Sequence, residues 1–521
     1  MATLAAAVRP FVNEPLLDFR KEANGQAMRA AIEKARKELG REYDMVIGGR
    51  RLRTEEKIKS VNPARPSEVI GIHQKAGREH VEPAMQAALA AFGTWKDRLM
   101  EERAELLFKV ADILRRRKLE FNAWLTLEVG KNWEEAEADT CEAIDFCELY
   151  AREALRLASV EPPVQLPGER DSLRYSALGV GAVITPWNFP LAILTGMTVA
   201  SVVCGNTVVL KPSSDSPTIA AKLFGALEEA GMPAGVVNFC PGAGATFGNG
   251  LVAHPKTRFV AFTGSRDVGL DIQVRSSQPQ PGQIWIKRTI LEMGGKNSII
   301  VDSDANLDAA VEGVAVSAFG FQGQKCSACS RAIVHQKVYD QFLEKLRQRV
   351  AQIQVGDPAE NKYMGPVINE GAMKSILNYI EIGKKEGRLV TGGKRASGDG
   401  YFIEPTVIED VDPKSRLSQE EIFGPVLAVM KVKDFDEALA TANDTDYGLT
   451  GAIYSTSEEK IERAKREFHV GNLYINRKCT GAVVGAHPFG GFNMSGTDSK
   501  AGGTDYLYLF SQAKSIGHKL N

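Results

Sequence analysis

Residues 179–213 read GVGAVITPWNFPLAILTGMTVASVVCGNTVVLKPS. No charged side chain occurs between positions 175 and 210, and the middle of the stretch is long enough to invite a membrane-spanning assignment. Pro186, Asn188, Pro190, Gly196, Gly205 and Asn206 interrupt it, and a β-rich run lies on either side. Residues 179–185 and 207–210 read as buried parallel strands with a helix between them. The stretch is therefore expected to be a strand–helix–strand unit in a soluble interior.

Outward from this unit the same rhythm continues. A helix is expected over 217–230, then the short strands VVNFC (236–240) and RFVAF (258–262), then RTILEMGGKNSIIVD from position 288. Helices at 307–319, 338–350, 435–442 and 458–466 alternate with RAIVH, FGPVLAVMKV and LTGAIYS. Short apolar runs alternating with helices indicate doubly wound parallel sheets. Upstream, the chain is helix-rich and charged, with helical apolar spacing over 81–95 and 101–118. VEPPVQLPGE (160–169) breaks that pattern and reads as a boundary or an arm. No fixed-period repeat is present.

The whole chain, 521 residues, is too long for one core, and two or three domains are expected. Lys and Arg number 64 against 65 Asp and Glu, a net charge of -1, which offers nothing to nucleic acid or an acidic membrane. The seven scattered cysteines read as reduced thiols in a reducing compartment. Cys326 and Cys329 form a C-x-x-C pair, but no second pair completes a four-thiolate metal site, so no metal is expected. The opening residues lack the apolar core of a signal peptide.

Several residues suggest chemistry. Cys326, in FGFQGQKCSACS, lies in a Gly-containing turn beside Lys325, where backbone N–H groups and a cation favour a thiolate. Glu292, in LEMGGKN, ends a β-run before two glycines that leave room for close approach. Asn188 sits between two prolines in TPWNFP, so that its amide N–H is fixed and able to stabilise an oxyanion. Lys211 ends an apolar strand, where ligands of open α/β sheets gather. FTGSRDVG (262–269) places a Gly-Ser turn between strand and helix, a phosphate-binding arrangement. Each residue also has a plainer reading: a small buried thiol, a strand-end glutamate, a turn asparagine.

Together TPWNFP, VLKPS, FTGS, LEMGGK, GQKCSA, EEIFGPV and PFGG, in that order, resemble the aldehyde dehydrogenase superfamily. NEP (13–15), EVGKNW, AIDF, YIEIGKKEG and EFHVGNLYINRKCTGAVVG bring the chain closer to the branch that oxidises L-glutamate γ-semialdehyde. The resemblance implies an α/β fold with a Rossmann-like dinucleotide-binding domain (1–159 and 176–291), a catalytic domain (292–490) and a β oligomerisation arm (160–175 and 504–519). It implies Cys326 as nucleophile, Asn188 as oxyanion donor and Glu292 as the base that activates water. Thr185, Pro186, Trp187, Lys211, Ser214, Gly264, Ser265, Glu421 and Phe423 would hold NAD. Ser214 stands where many NAD-preferring relatives carry Glu, which leaves NADP acceptance open. Ser327, Gly481 and Ala482 would hold the substrate carboxylate, Phe189 and Phe489 its aliphatic stem, and Glu142 its amino group.

The function so implied is NAD(P)-dependent oxidation of L-glutamate γ-semialdehyde to L-glutamate, the second step of proline catabolism. Another carboxylated semialdehyde, such as succinate semialdehyde, and a catalytically silent homologue remain as alternatives. Reduction of an acyl phosphate or acyl-CoA would have little need for Glu292. Cys329 reads as a small packing residue or as a thiol resolving oxidised Cys326. The chain leaves no room for a proline dehydrogenase barrel of about 250 residues, so that partner is expected as a separate protein. A homodimer or dimer-based oligomer in bacterial cytoplasm completes the expectation.

Overall fold

The uncharged stretch is buried almost throughout: every residue of the strands Val180–Ile184 and Thr207–Lys211, and all but Ile193 of the helix Ala192–Val203. A strand covered on both faces has no wet side, and so carries no alternation of polar residues. The computed structural model describes residues 8–520. Part of the leader-peptide reading, and the first residues of the expected cofactor domain, lie outside them.

Seven strands make one sheet: Met45–Ile47 (β1), Arg50–Leu52 (β2), Val180–Ile184 (β3), Thr207–Lys211 (β4), Val237–Phe239 (β5), Thr257–Thr263 (β6) and Arg288–Glu292 (β7). Their spatial order is β7-β6-β3-β4-β5-β1-β2. The strands β3 to β7 run parallel, while β1 and β2 form an antiparallel edge. From β3 the chain winds one way through β4 and β5, then returns to build β6 and β7 on the other side. A crevice therefore opens at the carboxyl ends of β3 and β6, where this topology binds ligands.

A second sheet holds Asn297–Val301 (β8), Cys329–His335 (β9), Arg388–Thr391 (β10), Thr406–Glu409 (β11), Val426–Val432 (β12), Thr450–Tyr454 (β13) and Asn472–Ile475 (β14). Its order is β10-β11-β12-β9-β8-β13-β14, with only β10 antiparallel. Residues 293–296 are all that separates the end of β7 from the start of β8. The carboxyl end of the first sheet thus meets the amino end of the second along one seam.

The expected helices occur, with shifted ends. Val81–Trp95 runs as read, whereas the next, Met100–Arg116, stops at Arg117 and Lys118–Val129 begins a new helix. The arm differs more. Glu169–Ala177 pairs antiparallel with Ser511–Lys519, Glu169 opposite Lys519 and Ala177 opposite Ser511. Residues 160–168 contribute no strand because Pro162, Pro163 and Pro167 remove ladder donors. Tyr506–Phe510 is a 3-10 turn instead, with Tyr506 stacked on Tyr150 and Phe510 edge-on to Phe259. No helix among the described residues is long and apolar enough to cross a membrane.

Candidate active site

Cys326 lies in the turn that leads into β9, half-buried at the seam. The turn is wound through three consecutive left-handed residues, Phe321 (φ 48°), Gln322 (φ 57°) and Gly323 (φ 68°). Such backbone is costly for non-glycine residues and needs fixing from outside. Gln322 supplies this by donating to the Gly130 and Pro366 carbonyls and accepting from the Gly365 N–H, all at 2.8–3.0 Å. Asn297, the first residue of β8, donates to the Cys326 carbonyl at 2.7 Å and to that of Ala328 at 2.9 Å, and accepts from Thr450 N–H at 3.0 Å. One amide thus ties the turn to β8 and β13. Gly295 is required here, since a Cβ would stand 2.6 Å from the Cys326 carbonyl.

Asn188 is buried and donates to the Gln324 carbonyl at 3.2 Å. One of its two amide hydrogens is then spoken for and one is free. Glu292 ends β7, buried, with Oε2 accepting from the Ser499 hydroxyl at 3.1 Å and Oε1 without a partner. Burial raises its carboxyl to about 8, although Ser499 and Lys500 act the other way. Burial, then the Glu292 and Glu421 carboxylates, push the Cys326 thiol far up. The structure therefore brings Cys326, Glu292 and Asn188 to one seam.

The residues expected around a dinucleotide line the crevice. Thr185 N–H donates to the Lys211 carbonyl at 3.2 Å, joining the ends of β3 and β4. Trp187 and Phe423 rings meet edge-to-face at 5.5 Å, and Pro186 is half-buried beside Trp187. Lys211 Nζ donates to the Pro212 carbonyl at 3.2 Å, and burial lowers its pKa to about 8. Glu421 accepts the Gly295 N–H at 2.9 Å and is raised by burial to about 7. Gly264 N–H donates to the Glu292 carbonyl at 3.1 Å, and a Cβ on Gly264 would meet the Phe262 ring. Ser265 is the exposed N-cap of the helix Arg266–Ser277 and makes no capping bond of its own. Ser214 is exposed in the turn after Lys211. A buried cation, a buried carboxylate and a helix N-terminus fit a dinucleotide's phosphates and sugars.

At the substrate end, the Ser327 carbonyl accepts from the Cys479 thiol at 3.4 Å, joining the nucleophile turn to the loop 478–484. Arg477 clamps that loop by donating to the Thr480 and Gly481 carbonyls at 3.2 and 3.0 Å. Gly481 has φ +74°, and neither its N–H nor that of Ala482 has a partner among the described residues. Phe489 pairs with Ala501 through two backbone bonds. The Phe189 ring lies edge-on to Phe321 at 6.3 Å, with Lys131 Nζ 3.9 Å from its centre. Glu142 sits on the helix Trp133–Ala158, its carboxyl without a hydrogen bond to another described residue and its pKa raised by burial to about 8. Cys329 is wholly buried, and its thiol donates to the Arg331 carbonyl at 3.5 Å. Asn297, Gln322 and Ser499 were not singled out from sequence, and only the neighbouring GG of LEMGGKN pointed toward Asn297.

The family model described as Aldehyde dehydrogenase family matches residues 51–516. This chain belongs to the aldehyde dehydrogenase family. It is 58% identical over 510 residues to the 1-pyrroline-5-carboxylate dehydrogenase of Geobacillus thermodenitrificans, covering 98% of this chain and 99% of that one. The crystal structure of 1-pyrroline-5-carboxylate dehydrogenase from Thermus with bound NAD superposes with a TM-score of 0.97 at 54% identity, covering 98% and 100% of the two chains. Proline utilization A from Bdellovibrio bacteriovorus matches at a TM-score of 0.96 and 46% identity, with 98% of this chain against 53% of that one. The expected aldehyde dehydrogenase fold is thus the observed one.

Proposed function

We propose that this aldehyde dehydrogenase oxidises L-glutamate γ-semialdehyde, the open form of 1-pyrroline-5-carboxylate, to L-glutamate. The observation that carries the substrate choice is the loop 478–484. Its free Gly481 and Ala482 N–H groups, with Lys478 close to Gly481 and the loop tied to Ser327 through Cys479, suit a carboxylate. Relatives of known name act on the same pyrroline.

Cys326, once deprotonated, attacks the aldehyde carbon through its thiolate and gives a thiohemiacetal anion. The second amide hydrogen of Asn188 and the Cys326 N–H face its oxyanion. NAD, held by Lys211, Ser265, Glu421 and the Trp187–Phe423 pair, supplies the hydride acceptor, and Thr185, Pro186, Gly264 and Ser214 complete its surroundings. Loss of the hydride leaves a thioester on Cys326. Glu292 takes a proton from water, the water oxygen attacks the thioester, and the Cys326 thiolate departs as glutamate is released. Phe189 and Phe489 pack the aliphatic stem, and Glu142 faces the amino group. The exposed Ile284 and Ile286 and the two-stranded arm favour a homodimer or dimer-based oligomer. A bacterial cytoplasmic setting with a separate proline dehydrogenase as functional partner goes with this reading.

NADH formation from glutamate γ-semialdehyde, succinate semialdehyde and propanal tests it. The expected result is a kcat/KM at least tenfold higher for the amino-acid semialdehyde, about 1.4 kcal/mol of discrimination, abolished for all three by Cys326→Ala. Equal values would overturn the substrate assignment and keep the dehydrogenase.

A further inference from the structure

The Glu292 carboxylate is asymmetric. Oε2 accepts the Ser499 hydroxyl at 3.1 Å, while Oε1 is buried with no partner. Ser499 itself is rigidly placed. Its neighbours Asp498 and Lys500 take left-handed backbone (φ 52° and 50°). Lys500 Nζ donates to the Gly471 and Gly490 carbonyls at 2.7 and 2.9 Å. Just before it, Met293 N–H donates to the Ser495 carbonyl at 2.7 Å, Thr497 N–H to the Leu291 carbonyl at 2.9 Å, and Leu291 N–H to Thr497 Oγ1 at 3.0 Å. Segment 495–500 is thus strapped along the end of β7, on both sides of Glu292, and a Cβ on Gly496 would collide with the Leu291 carbonyl.

We propose that Ser499 is a positioning residue for the hydrolytic step, its hydroxyl pinning Glu292 Oε2 so that Oε1 alone is presented to water. This rests on the reading of Glu292 as the base. A carboxylate free to rotate would offer either oxygen, in geometries that do not face the thioester. The same bond favours the anion over the acid. The other charged or titratable groups acting on Glu292 are Lys500 and Asp498 from the strap, Cys326 from the nucleophile turn and Tyr506 from the C-terminal turn.

The test uses the full-length enzyme with Ser499→Ala, Ser499→Thr, Thr497→Val and Glu292→Gln. In Ser499→Ala, kcat should fall about tenfold and the acid limb of its pH profile should move up by about one pH unit, the scale of one lost hydrogen bond to a charged group. The first-turnover burst of NADH and kcat/KM for the aldehyde should stay, with KM falling alongside kcat, because hydride transfer precedes hydrolysis. Ser499→Thr, which keeps the hydroxyl, should restore the limb. Thr497→Val loosens the same strap without touching the carboxylate and should leave the limb in place. A Ser499→Ala profile superposing on the parent overturns the proposal, as does an equal shift in Thr497→Val. If Ser499→Ala does not fold, Ser499→Cys, a near-isostere with a weak donor, takes its place under the same criteria. Full turnover by Glu292→Gln would instead remove the base reading itself, whatever Ser499 does.

Discussion

At Glu292 and Cys326, burial sets the chemistry. Both groups are held toward their protonated forms: the carboxyl at about 8, the thiol higher still, by loss of water and by neighbouring negative charge. Since the working form of each is the deprotonated one, the signs agree. Turnover should rise with pH through about 8 and fall by close to tenfold per unit below it, as measured by steady-state NADH formation between pH 6 and 9.5. In Glu292→Gln the burst should persist while steady turnover drops at least a hundredfold. A flat profile across pH 7–9, or a lost burst, would contradict this assignment. Cys326, Glu292 and Asn188 were legible because each sits in a short motif that limits its backbone. Ser499 was not, because nothing local marks it: it matters only through a bond to a residue 207 positions away.

Among the elements, the turn before β9 is the one whose sequence conceals most. Three successive left-handed residues are not announced by GFQGQ, in which only the last glycine suits such backbone. The turn persists because Asn297 donates from β8 to its Cys326 and Ala328 carbonyls, while the side chain of Gln322 anchors it to the Gly130 and Pro366 carbonyls of other segments. Removing Asn297 leaves the Cys326 and Ala328 carbonyls and the Thr450 N–H without their bonds. Asn297→Ala is expected to cost on the order of 2–4 kcal/mol, seen as a lower apparent melting temperature, and to lower kcat through displacement of Cys326. An unchanged melting temperature would show that water replaces the amide. The strands were easier to read, since burial on both faces writes them as uninterrupted apolar runs. Their ends were less so, as the shift of the arm strand to Glu169–Ala177 shows.

Across the whole molecule, the C-terminal segment is tied to the strand that ends in Glu292. Arg288, the first residue of β7, donates to the Tyr508, Leu509 and Ser511 carbonyls at 2.9, 2.6 and 3.0 Å. Glu292 ends that same strand. A chain ended at Phe510 removes the partner of Glu169–Ala177 and one of these three acceptors. It should elute as a smaller species in gel filtration than the full chain, and it should lose part of its activity even at concentrations where oligomers form. Identical elution would argue against the arm as the oligomer contact.

Sequence alone determined the alternation of strands and helices, the buried character of 179–213, the family, and the residues whose motifs restrict them, because those depend on local periodicity and on short-range backbone constraint. The tertiary structure decided which carboxylate oxygen is free, which amide holds the nucleophile turn, that the buried Cys329 thiol meets the Arg331 carbonyl, and where the arm strands begin. Those depend on contacts between distant segments at the seam of two sheets, and hydrogen-bond geometry there leaves no trace in the order of residues along either one.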